Sequence, residues 1–164
     1  MEEFEGFFDE HLDDVTRLIN FSRDSLGDVF DEEVDPVSEN EVRDEFRKVT
    51  KDDDLMLNLA AFYKLGVELE LRTDGDGSRL DDVADDYAGF IVDEVIGRRI
   101  ASRLAGDDPD ETLAEATFHY IDIHTREILD DEEDRGVGYD DVLAGLAAGL
   151  QVRLPGWDWK EEGW

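Results

Sequence analysis

Residues 55–72 read LMLNLAAFYKLGVELELR, and the fold class turns on them. The first eleven are apolar nearly all round: Leu55, Met56, Leu57, Leu59, Ala60, Ala61, Phe62, Tyr63 and Leu65 interrupted only by Asn58 and Lys64. A helix that is apolar on every side belongs in the middle of a protein, so this segment is expected to be the central helix. After Gly66 the period changes to two, in Val67-Glu68-Leu69-Glu70-Leu71-Arg72, which is the pattern of a half-buried strand. A strand needs a partner, and Gln151-Val152-Arg153-Leu154 is the one weak candidate. The stretch is therefore read as continued helix, and the chain as all-α.

The flanking segments agree. Phe4, Phe8, Leu12, Val15, Ile19, Leu26 and Phe30 recur at helical spacing and predict one long helix over residues 3–31, with a break near Gly27. Val34-Asp35-Pro36 ends it. Ser38-Glu39-Asn40-Glu41 is a capping box that opens a short helix carrying Val42, Phe46 and Val49. Past the loop Thr73–Gly77, Ser78 caps a helix that runs through Val95, Ile96 and Ile100 and stops at Gly106. Asp108-Pro109-Asp110-Glu111 starts the next one. The last helix opens at Asp140 and places Val142, Leu143, Leu146, Leu150 and Leu154 on one face. Its Gly145 and Gly149, beside Ala144 and Ala148, permit close helix–helix approach. The expected architecture is a single compact bundle of five to six helices over residues 1–154. A C-terminal aromatic tail, 155–164, holds all three tryptophans, Trp157, Trp159 and Trp164.

Charge narrows the function. Of 164 residues, 47 are Asp or Glu and 16 are Lys or Arg, giving a formal net charge of −31. The basic residues are 12 arginines and 4 lysines, and the acids are spread over the whole chain. This composition resembles that of cytosolic proteins from salt-accumulating, haloarchaeal microbes. At about 1 M salt the screening length falls to ~3 Å and the self-repulsion becomes tolerable, so stability is expected to depend on salt. Such a charge disfavours nucleic acid and anionic membranes as partners. The absence of cysteine excludes disulfides, thiolate metal sites and cysteine nucleophiles. The acidic N-terminus lacks the basic region of a signal peptide, and no apolar run reaches the ~20 residues of a membrane span. A soluble, cytoplasmic protein is expected.

No motif assigns an activity, and no residue is singled out as catalytic. Asp74-x-Asp76-x-Ser78 begins like a calcium loop but has Arg79 and Asp85 where that loop needs Gly and Glu. Lys64-Leu65-Gly66-Val67-Glu68-Leu69-Glu70, a loop, and then Asp82-Val83-Ala84-Asp85 resembles the MazG-type all-α nucleotide pyrophosphohydrolases, which place paired carboxylates on consecutive helices. That resemblance implies a Mg²⁺ site at Glu68, Asp82 and Asp85. Glu115, His119 and Asp122 share one helical face, whereas His119 and His124 lie ~140° apart around the helix. Arg98, Arg99 and Arg103 form the one dense basic cluster, readable as an anion site or as cations placed at a helix C-terminus. The tryptophans are readable as a segment that closes the chain's own core, or as a peptide that docks on a partner. The functional expectation is an acidic helical interaction or regulatory protein, self-associating through its last helix and Trp tail. The alternative is the Mg²⁺-dependent pyrophosphohydrolase.

Overall fold

The structure, a computed structural model, describes residues 1–73, 95–129 and 137–156. These residues form seven helices and no strand: α1 (Glu2–Glu10), α2 (Leu12–Phe30), α3 (Glu39–Val49), α4 (Asp53–Thr73), α5 (Arg98–Ala105), α6 (Asp110–Leu129) and α7 (Val137–Gln151). The period-two stretch is helical, because α4 runs unbroken from Asp53 to Thr73. Val67 and Leu69 both pack against the core while Glu68 is exposed.

The count exceeds the expected five to six because the first helix breaks, and it breaks at His11 rather than near Gly27. His11 leaves helical geometry, with φ −107° and ψ 18°. The bend lays α1 against α3 and α4. Phe8 stacks on Phe46 at 3.7 Å between ring centroids, and Phe4 and Phe7 meet Tyr63 at 5.5 and 5.0 Å. Burying a phenylalanine is worth about 1.5–3 kcal/mol. Three of them outweigh the roughly 0.5–1.5 kcal/mol net of a backbone hydrogen bond weakened at the bend. Gly27 instead serves the far end of α2. A Cβ there would lie 2.8 Å from the Glu32 carbonyl oxygen, so the glycine lets the chain fold back after Asp31, which is left-handed at φ 54°.

The capping box forms as read. The Ser38 hydroxyl accepts from the Glu41 amide at 3.3 Å, and the Ser38 amide donates to the Glu41 carboxylate at 2.8 Å. The segment before it is pinned to α2 by Asn20. Its amide nitrogen donates to the Val37 carbonyl at 3.0 Å and its oxygen accepts from the Val37 amide at 2.8 Å.

The centre of the fold is α7, which corrects the expectation for Leu55–Leu65. Every residue from Asp141 to Gln151 is buried. The helix touches α2, α3, α4, α5 and α6, and its Tyr139 meets Phe7 of α1. On α4, by contrast, Leu57 is 60% and Leu65 49% exposed, and Ala61 between them is exposed too. Small residues explain the difference. A Cβ on Gly149 would come 2.5 Å from the Leu104 Cβ and 2.7 Å from the Ala101 carbonyl oxygen. One on Gly145 would come 2.6 Å from the Gly97 carbonyl oxygen. Gly97 ends a π-helical turn, residues 95–97, that leads into α5, and a Cβ there would lie 2.5 Å from the Phe118 ring of α6. The backbones of α5 and α7 thus approach more closely than any side chain allows. The close approach read from Gly145 and Gly149 occurs within the chain, so this face of the last helix is not left for a second copy.

Candidate functional site

Along α1, Glu3, Gly6, Phe7 and Glu10 stand at i, i+3, i+4 and i+7 and so share one face, with His11 at its end. This face is distinct from the one carrying Phe4 and Phe8 into the core. It borders an open cleft of about 600 Å³ between α1, Tyr63 of α4 and Tyr139 of α7. That volume falls within the roughly 300–1,000 Å³ usual for ligand sites. Phe7 is central to it, with its ring 5.0 Å from Tyr63, 5.7 Å from Tyr139 and 4.6 Å from His11. Glu3, Gly6 and Glu10 are exposed and form the rim. No heavy atom lies within 4 Å of where a Gly6 Cβ would stand, so the glycine leaves the rim open.

The cleft is electronegative. Burial raises the Tyr63 phenol to about 12, and Tyr139, Glu3 and Glu10 push it in the same direction. Burial is the larger cause and disfavours either sign of charge, whereas the Glu3 and Glu10 carboxylates at the rim favour a cation. Among the described residues, neither Glu3 nor Glu10 has an ion-pair partner. His11 is backed by Asp14, with its Nδ1 3.4 Å from a carboxylate oxygen.

The arginines serve another purpose. Arg23 is 1% exposed, and burial lowers its pKa against the opposing pull of Glu41 and Asp35. Its Nε donates to the Asp35 carbonyl at 3.0 Å and an η-nitrogen donates to the Pro155 carbonyl. It therefore ties α2 both to the segment before α3 and to the chain leaving α7. Gly156 follows at φ 108°, where a Cβ would collide with the same guanidinium. Arg153 donates to the Leu104 and Ala105 carbonyls at the end of α5, both at 3.3 Å, and its Nε lies 3.0 Å from the Glu45 carboxylate of α3. Arg17 donates to the Ile128 carbonyl at the end of α6 at 2.6 Å. Arginines from neighbouring segments thus cover the negative ends of α5 and α6.

Of the residues singled out in the sequence, Arg103 lies in the last turn of α5, exposed, as Arg99 is one turn earlier. Arg98 is half-buried, with its Nε enclosed and no hydrogen-bond partner there. The carbonyls that Arg103 was placed to complement are taken by Arg153. Glu68 is exposed on α4. Asp82 and Asp85, the calcium-like loop at Asp74–Ser78, the part up to residue 94 of the helix expected to run from Ser78 to Gly106, and Trp157, Trp159 and Trp164 lie outside the described residues. Glu115, His119 and Asp122 are all half-buried on α6. Among the described residues no three His, Asp or Glu side chains converge as a metal ion requires. The sequence reading missed the cleft. Its one local signal was the Glu3, Gly6, Phe7, Glu10 stripe, with a glycine facing outward on an otherwise full helix.

Fold and site together define an acidic all-α protein with an aromatic-walled, carboxylate-rimmed cleft. No helix among the described residues is long and apolar enough to cross a membrane. The model of a family described as a domain of unknown function, DUF7984, matches residues 2–163, and the chain belongs to that family. No curated protein and no solved structure matches the chain.

Proposed function

We propose that this protein works by protein–protein contact in a salt-rich cytoplasm, as an interaction or regulatory protein, and that it self-associates through the outer face of α4. The observation that carries this is the exposed stripe Leu57, Ala61, Leu65, at i, i+4 and i+8 on one helix. Large exposed aliphatics aligned on one face mark an interaction surface more often than isolated ones do. The acidic composition fits a surface that associates only where salt screens it.

Sedimentation in molar KCl tests the reading. The wild type is expected to form dimers, and Leu57→Lys with Leu65→Lys is expected to be monomeric with an unchanged circular dichroism spectrum. Deleting the residues after Pro155 separates a stripe used between copies from one covered by the Trp-bearing segment. A truncated chain that still dimerises assigns the contact to α4. A full-length chain that stays monomeric at high concentration overturns self-association.

The pyrophosphohydrolase alternative keeps Glu68, Asp82 and Asp85 as its Mg²⁺ ligands. Titrating Mg²⁺ with a nucleotide panel decides it, and turnover would replace the interaction reading.

A further inference from the structure

The cleft bounded by α1, α4 and α7 is independent of the α4 stripe and has a chemistry of its own. Four rings line it: Phe7 and Tyr63, almost fully buried, and Tyr139 and His11, half-buried. Its rim carries two carboxylates, Glu3 and Glu10, seven residues apart on α1 and therefore on the same side of the opening. We propose that this cleft binds an organic cation whose charge is spread over an alkylated ammonium head.

Three features select that ligand class. Aromatic faces attract cations through the ring quadrupole, most effectively when the cation is held out of water. A hard metal ion would have to shed tightly held water for the two rim carboxylates, fewer than the six or more oxygen ligands it takes. A quaternary or alkylated ammonium has little water to lose, and its methyl groups make van der Waals contact with the rings. Glu3 and Glu10, with no cationic partner among the described residues, attract its charge and repel anions or the carboxylate end of a zwitterion. The open space at Gly6 supplies the entrance.

The test is calorimetric titration of the full chain with choline in molar KCl near neutral pH. The control ligand is choline's neutral carbon isostere, in which a tert-butyl group replaces the trimethylammonium. Choline is expected to bind saturably, and the isostere about tenfold more weakly or not at all. Gly6→Leu, whose Cβ enters open space at the entrance, is expected to abolish binding. Glu3→Gln with Glu10→Gln keeps the shape, removes the charge, and is expected to weaken binding a few-fold in molar salt and more as the salt is lowered. Circular dichroism confirms that each variant is folded, and the double Gln variant tests the claim even if Gly6→Leu is not. No choline binding overturns the proposal. Equal binding of choline and its isostere overturns it too, because the cleft would then be recognising shape alone.

Discussion

Helices α4 and α7 exchange the places that their composition suggests. The first carries more large apolar residues, yet it lies at the edge with Leu57 and Leu65 in solvent. The second has glycines and alanines at Ala144, Gly145, Ala147, Ala148 and Gly149, and it is buried on all sides. Bulk favours burial at one face, but it also holds neighbours away. A helix can be surrounded only where its neighbours approach closely, and small residues set that distance. The central position belongs to the helix that fits there, and the surplus of apolar residues on α4 is left exposed.

The same substitution on the two helices should have opposite signs. Gly149→Ala on α7 places a Cβ 2.5 Å from one side chain and 2.7 Å from backbone. Overpacking of this kind costs about 1–3 kcal/mol, more than the ~1 kcal/mol that alanine contributes to a helix interior. Urea unfolding in molar salt should show a net loss of up to about 2 kcal/mol. Gly66→Ala on α4 meets Ile96 and Val142 at 3.7 and 3.8 Å, which is ordinary contact. It should stabilise by up to ~1 kcal/mol. A loss at Gly66 equal to that at Gly149 would remove the contrast.

The chain leaving α7 is held by Arg23, so Arg23→Ala should be the most costly change away from the α5–α7 contact. It removes the donors to the Asp35 and Pro155 carbonyls and leaves a void, at a cost of about 2–3 kcal/mol. Unfolding with an unchanged midpoint would show that the guanidinium holds nothing.

Tyr63 gives α4 a pH signature. Its folded value, about 12, lies above the ordinary 10. The stability this contributes is complete below pH 10 and is lost as pH rises through 10 toward 12. Alkaline unfolding profiles should therefore fall over that window, and Tyr63→Phe should flatten the fall. The smallest effect is expected at the stripe, where Leu57→Lys with Leu65→Lys should change unfolding by no more than about 0.5 kcal/mol per site while abolishing dimers.

Local signals were legible in the sequence. The Ser38–Glu41 box, the end of α5 at Gly106 and the glycine pair of α7 all follow from rules that involve only neighbouring residues or one helix face. The helical state of Val67–Leu71 was legible for a less local reason, the lack of a partner strand. What was not legible depends on three-dimensional fit. Nothing near His11 marks a helix break, because the cause is the burial of Phe4, Phe7 and Phe8 against Phe46 and Tyr63, far along the chain. The sequence offers Arg98, Arg99 and Arg103 as cations for the end of their own helix, but the arginines that cover helix ends, Arg17 and Arg153, come from other segments, over separations of 111 and 48 residues. The cleft needs α1, α4 and α7 together, so Tyr139 carried no signal alone.

Native-state hydrogen exchange in molar salt tests the central claim most directly, since it reports stability amide by amide. The amides of Asp141–Gln151 in α7 should exchange slowest, through global unfolding alone. Those of α4 should exchange through smaller openings at clearly lower free energy. Equal or greater protection in α4 would contradict the account and return the centre of the fold to Leu55–Leu65.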